Sequence, residues 1–216
     1  MKRITIIAGH YGSGKSEISV NLALKNNIDY FIDLDIINPY FRSRALDGLF
    51  KDNNIKLVES TVKGMLNSDM PYVSGEGVIP FVNKNVTAIY DLGGTENGAK
   101  ILIQFLDRLD DPSEVDFLCS INIYRPETTT PELILQTIVL LEAQTQLNIT
   151  GLINNTNLID ETTEQDIIDG QNVLEVVSKK LGIPIVYTVV EENKNFTYEF
   201  AGERITLSRY VARKWL

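Results

Sequence analysis

Apolar residues along this chain fall into two alternating rhythms. Short, nearly continuous apolar runs occur at 4–8, 30–35, 55–59, 86–90, 115–123, 148–153 and 185–190. Runs of this length, rich in Ile and Val, predict strands buried on both faces, as in a parallel sheet. Between them lie stretches with apolar positions at helical spacing. Residues 15–25 follow the first strand, a helix-like stretch runs to Asn53-Asn54, and 98–109 carries Ile101, Leu102, Phe105, Leu106 and Leu109 on one side. A further helix opens after Arg125-Pro126-Glu127-Thr128-Thr129-Thr130-Pro131 and runs to about Gln146. The last long one carries Ile167, Leu174, Val177 and Leu181.

The boundaries carry their own chemistry. Asp111-Pro112 stops one helix, Thr162 with Gln165 fits a capping box, and Gly182 before Pro184 closes the helix that box opens. A polar loop at 191–195 leads toward a short terminal helix. Residues 60–80, rich in Gly, Ser, Pro and Met, have weak periodicity and read as a surface excursion that could carry partner or substrate specificity. Strands alternating with helices predict an α/β fold, a largely parallel sheet covered by helices on both faces. With neither repeat nor linker, residues 1–216 read as one domain.

The first strand delivers Gly9-His10-Tyr11-Gly12-Ser13-Gly14-Lys15-Ser16, a match to G-x-x-x-x-G-K-[ST]. The glycines let backbone N–H groups converge on phosphate oxygens, and the following helix presents its positive end to the same anion. Lys15 can reach the β- and γ-phosphates, and the Ser16 hydroxyl can bind Mg²⁺. The segment therefore predicts a P-loop protein that binds a nucleoside triphosphate. The second strand ends in Asp33-Leu34-Asp35 and a later one in Asp91-Leu92-Gly93-Gly94. Ligands of open α/β sheets sit beyond the carboxyl ends of strands, so these acids are expected to face the phosphates. Asp91 suits outer-shell binding of Mg²⁺, and Gly94 leaves a backbone N–H able to approach a γ-phosphate. Asp33 and Asp35 share a face by strand periodicity, with Asp33 the deeper of the two.

Other residues carry two readings. His10, the one histidine, could contact phosphate, or pack and point outward. Arg42 and Arg44 could act as an arginine finger does, or make surface ion pairs. Asn154 and Asn155 could terminate a strand. Guanine selection needs N-K-x-D, and neither asparagine is followed by Lys, nor by Asp three places on, so ATP is favoured over GTP.

Composition narrows the remaining classes. The charge of −9 argues against a broad basic surface and hence against sequence-independent nucleic-acid binding. No stretch approaches the ~18 apolar residues of a membrane span. The start, Met1-Lys2-Arg3 and a short apolar run, breaks straight into the glycine loop and reads as strand one rather than a signal peptide. The single cysteine, Cys119, excludes an internal disulfide and sits in an apolar strand as a buried thiol. A cytoplasmic location is expected.

Three pieces in order, the GHYGSGKS loop, Asp33-Leu34-Asp35 and Asp91-Leu92-Gly93-Gly94, resemble the ParA/MinD/CobQ-type ATPases, the P-loop branch that includes nitrogenase iron protein. The resemblance covers nearly the whole chain. IDLDIINPYFRSR and TGLINNTNL look like a narrower, uncharacterised ATP-binding branch. It implies Lys15 and Ser16 on phosphate and Mg²⁺, and Asp33 and Asp91 supporting the metal shell. It also implies Asp35 positioning or activating the attacking water, Gly94 sensing the γ-phosphate, and Asn155 contacting adenine. The group's hallmark loop begins K-G-G, its lysine reaching across a dimer; here His10 and Tyr11 occupy those two places. That departure puts dimer-activated hydrolysis in doubt without excluding a homodimer. MinD proteins end in an amphipathic membrane-binding helix. Residues 204–216 show no clean apolar stripe, so a closing helix packed on the sheet is expected and membrane association is not.

These readings imply a Mg²⁺-dependent ATPase cycling between ATP and ADP, whose nucleotide state switches loops 36–44 and 92–98 for an unidentified protein partner or a second copy. The rivals are an ATP-dependent kinase or ligase of the dethiobiotin-synthetase kind with its acceptor site in 60–80, and an assembly module that binds ATP without turnover.

Overall fold

The computed structural model describes residues 1–35, 39–59, 75–93 and 96–211, with the helical backbone alone at 39–45 and 96–97. In chain order the elements are β1 (Ile4–Ala8), α1 (Lys15–Asn26), β2 (Tyr30–Asp33), α2 (Pro39–Asp52), β3 (Lys56–Glu59) and α3 (Ile79–Val82). Then come β4 (Ala88–Asp91), α4 (Glu96–Leu106), β5 (Val115–Ile121), α5 (Pro131–Thr145), β6 (Gly151–Asn154), α6 (Glu164–Leu181), β7 (Ile185–Glu191) and β8 (Glu203–Leu207). The strands form a single sheet in the order β3-β2-β4-β1-β5-β6-β7-β8, and every adjacent pair is parallel.

The pleat explains why the strand runs are apolar at nearly every position. In β1, Ile4, Ile6 and Ala8 pack into a core under α4, α5 and α6, with Leu102, Ile138 and Leu174. Ile7 faces the opposite core with Ile18 of α1 and Phe50 of α2. Side chains alternate across a strand, so a strand covered on both faces needs hydrophobic residues at both parities. β1, flanked by β4 and β5, is fully buried.

Two expectations are corrected. Among the described residues, the segment after 195 gives no closing helix on the sheet. Glu203–Leu207 is a strand, β8, paired with β7. Its residues alternate, with Ile205 and Leu207 buried and Arg204 and Thr206 exposed, which is why no helical stripe is visible in it. Residues 212–216 lie outside the described residues. The capping box of α6 is built one residue later than expected. The Thr163 hydroxyl accepts from Asp166 N–H while the Asp166 carboxylate accepts from Thr163 N–H. The Thr162 hydroxyl is spent in the preceding turn, donating to Ile159 O at 2.7 Å and accepting from Leu158 N–H at 2.9 Å. Gly182, at φ 71, closes that helix as expected.

Candidate functional site

The glycine loop occupies the place where the sheet changes direction. The connection from β1 runs through α1 to β2 on one side, whereas that from β5, β1's other neighbour, runs through α5 to β6 on the opposite side. Ligands of open α/β sheets bind in such a crevice beyond the strand ends. Three loop carbonyls are held by hydrogen bonds. His10 O accepts Ser13 N–H at 3.1 Å and Lys15 Nζ at 3.3 Å. Ser13 O accepts the Ser120 hydroxyl from β5 at 2.8 Å and the Asn155 amide at 2.7 Å. Gly12 O accepts Arg125 Nε–H at 3.0 Å. The first-turn N–H groups of α1 have no intrahelical acceptor, and no side chain caps that end. Backbone donors and the helix dipole are thereby presented to one small volume, as anion binding requires.

Glycine at 14 is dictated by that packing. It sits at φ 83 as the N-cap of α1, and a Cβ there would lie 2.1 Å from Asn155 Nδ2. Lys15 is 6% exposed, folded over its own loop, and Ser16 is half-buried as the second residue of α1. Tyr11 is exposed, and His10 turns toward Glu127, its Nδ1 3.2 Å from the carboxylate.

The acids gather at the ends of β2 and β4. Asp33 is the direct cross-strand partner of Asp91, and Asp91 pairs in turn with Ile7, two residues before the loop begins. Asp91 is buried. Asp35 N–H donates to Asp33 Oδ1 at 2.9 Å, and a Cβ on Gly93 would meet the Asp35 Cα at 2.9 Å. β2 ends at Asp33, so the expected alternation does not reach Asp35. The chain turns back on the Asp33 carboxylate instead. Among the described residues no three His, Cys, Asp or Glu side chains gather as a metal-binding group. Hydroxyl and carboxylate oxygens are nonetheless the hard donors Mg²⁺ takes, and Mg²⁺ keeps waters rather than demanding a cage of three carboxylates. Ser16, Asp33 and Asp91 fit that pattern in chemistry. Gly94, the side chains of Arg42 and Arg44, residues 60–74, and residues 36–38 and 94–95 of the two expected switch loops lie outside the described residues, whereas 39–44 and 96–98, expected as loop, are the first turns of α2 and α4.

Asn155 stands one residue beyond β6 and is 6% exposed. Ser13 O can only accept, so the amide nitrogen must face the loop, which leaves the carbonyl oxygen and one N–H for a neighbouring group. Beside it opens a groove of about 630 Å³ over the ends of β6, β7 and β8, starting at Gly12 and Gly14 and reaching Phe196 and Leu207. Three carboxylates line it, and each is engaged by the segment after β8. Glu17 accepts Tyr210 and Val211 N–H at 2.9 and 2.8 Å, while Asp160 and Glu191 pair with Arg209.

Sequence reasoning missed Arg125 and Ser120. Both reach the loop across more than a hundred residues of chain, so no local signal marks them. Cys119 behaves as expected, buried and free, its thiol pushed up to about 12 by burial.

Comparison with known proteins bears on the fold. No protein-family model matches the chain, and neither does any curated protein. Among solved structures it is similar to the cell division protein FtsY of Thermotoga maritima, at 19% identity and a TM-score of 0.51, over 87% of this chain and 61% of that one. Chloroplast FtsY of Physcomitrella patens matches at 14% identity and 0.51, over 87% and 58%. The signal recognition particle receptor FtsY of Elizabethkingia anophelis in complex with GDP matches at 18% and 0.50, over 88% and 57%. The chain spans about three fifths of the length of these structures. The parallel eight-stranded sheet with helices on both faces is the α/β fold of the P-loop NTPases. The narrower resemblance to ParA/MinD/CobQ-type ATPases rests on the sequence motifs. Among the described residues no helix is long and apolar enough to cross a membrane.

Proposed function

We propose that this chain binds Mg·ATP and hydrolyses it slowly, as a nucleotide-dependent switch of the ParA/MinD/CobQ-type. The observation that carries the reading is the glycine loop itself, whose carbonyls at Gly12 and Ser13 accept from Arg125, Ser120 and Asn155 outside the loop, and whose His10 carbonyl accepts from Ser13 and Lys15 within it, around an uncapped helix end. Such a cradle is organised before its ligand arrives, so little reorganisation is spent on binding. Lys15 and the backbone N–H groups hold the β- and γ-phosphates. Ser16, Asp33 and Asp91 hold Mg²⁺, which when bound neutralises phosphate charge. Asp35, joined to Asp33 and packed against Gly93, orients the attacking water and takes its proton.

Adenine is favoured at the groove beside the loop. Guanine is read by a carboxylate accepting two N–H groups, and the three carboxylates of the groove are already engaged. The Asn155 amide offers an acceptor and a donor, the pair adenine's edge matches. The test is calorimetric competition between ATP and GTP in the presence of Mg²⁺, together with phosphate release measured without any second substrate. ATP preference and acceptor-independent release support the reading. GTP binding as tightly as ATP overturns the base assignment, and release that needs an acceptor points to a kinase or ligase.

A further inference from the structure

Arg125 lies across the phosphate loop from outside the motif. It opens the connection between β5 and α5, and its Nε–H donates to Gly12 O at 3.0 Å. Contact is close enough that a Cβ on Gly12 would lie 3.1 Å from Nε and 3.2 Å from Cζ. The same side chain borders the groove alongside Gly12, Gly14 and Asn155. That single hydrogen bond uses one of the five N–H donors of the guanidinium.

Among the described residues no carboxylate pairs with this cation. The contrast with the rest of the chain is chemical. Arg3 pairs with Glu114, and Arg209 with Glu191 and Asp160, in a protein whose net charge is −9. Near Arg125 the acids are engaged elsewhere. Glu127, two residues on, meets His10, and Glu17 holds the backbone at 210 and 211. An arginine fixed by a neutral carbonyl beside an anion cradle keeps its charge and its planar fork for whatever enters.

We propose that Arg125 is a nucleotide-binding residue that donates to a phosphate group of the bound nucleotide. The proposal rests on the Mg·ATP reading of the glycine loop and adds a second cation to Lys15. A guanidinium in that position contributes charge-assisted hydrogen bonds to the polyphosphate and none to an uncharged nucleoside.

Arg125→Gln separates this role from that of a loop pin. The glutamine amide nitrogen stands where Nε stands along the side chain, so the bond to Gly12 O can persist while charge and fork are lost. Calorimetry with ATP, ADP and adenosine, at low and high salt, is compared for wild type, Arg125→Gln, Arg125→Lys and Lys15→Ala. The expected result is a loss of about tenfold in ATP and ADP affinity in Arg125→Gln, with adenosine unaffected. The salt dependence of ADP binding should flatten in that variant, and Arg125→Lys should retain part of the affinity. Unchanged ADP and ATP affinity in Arg125→Gln, or an equal loss for adenosine, overturns the proposal. ATP binding absent from wild type and Lys15→Ala alike removes the underlying reading and this one with it. ATP binding lost only on Lys15→Ala, with Arg125→Gln like wild type, removes this one alone.

Discussion

Gly14 joins backbone geometry to ligand chemistry in one residue. Its left-handed conformation starts α1 at the angle the loop needs, and its missing side chain leaves room for the Asn155 amide. Gly14→Ala is expected to cost roughly 1–2 kcal/mol from the backbone alone, and to push Asn155 off Ser13 O. Denaturant unfolding checks the first effect and ATP affinity the second. Asp33 and Asp35 should separate in function. Asp35→Asn keeps Mg·ATP binding but slows single-turnover hydrolysis by roughly 10²–10⁴, whereas Asp33→Asn weakens Mg²⁺-dependent binding first. Wild-type turnover in Asp35→Asn would remove it from the water-activating role. Cys119 should resist thiol reagents in the native state and react only on unfolding, because its thiolate is suppressed by burial. At this scale the sequence is legible where chemistry is local. The loop follows, and Asp33 and Asp91 end, strands that the apolar pattern marks. Arg125 and Ser120 were illegible, because what matters is their approach to Gly12 and Ser13 through the folded sheet.

β8 shows where pattern reasoning loses an element. Its five residues place only Ile205 and Leu207 inward, too few positions to distinguish an alternation from a helical stripe. What fixes it as a strand is tertiary. Ser208 exchanges two hydrogen bonds with the Asn21 side chain of α1, and Gly202 passes so close to β7 that a Cβ there would lie 2.6 Å from Val186 O. Truncating Ile205 to Ala should cost about 2–5 kcal/mol, whereas Thr206→Ala should stay within about 0.5 kcal/mol. Chemical denaturation of both variants checks this. Comparable losses at both positions would contradict the alternating burial. The shift of the α6 capping box by one residue has the same origin, since both Thr162 and Thr163 can cap, and the turn at Ile159 claims the first.

Across the whole molecule, the sheet brings three features to the carboxyl ends of its strands. The glycine loop follows β1, the acids end β2 and β4, and the groove lies over β6, β7 and β8. The segment after β8 closes the assembly by returning to α1, where Glu17 and Asn21 hold it. Occupancy of the groove is therefore expected to stabilise the far edge of the sheet as well as the loop. At ligand concentrations about a hundredfold above Kd, linkage gives about 2.7 kcal/mol, visible as a rise in Tm with Mg·ATP. GTP at the same concentration should raise it less. The most direct measurement is calorimetric titration of Mg·ATP into the folded wild-type protein and into folded Lys15→Ala. Saturable binding in wild type, weakened about a hundredfold by Lys15→Ala with the unfolding transition unchanged, is the expected result. Equal affinity in the two proteins, or no binding to wild type, would contradict a phosphate-binding role for the glycine loop.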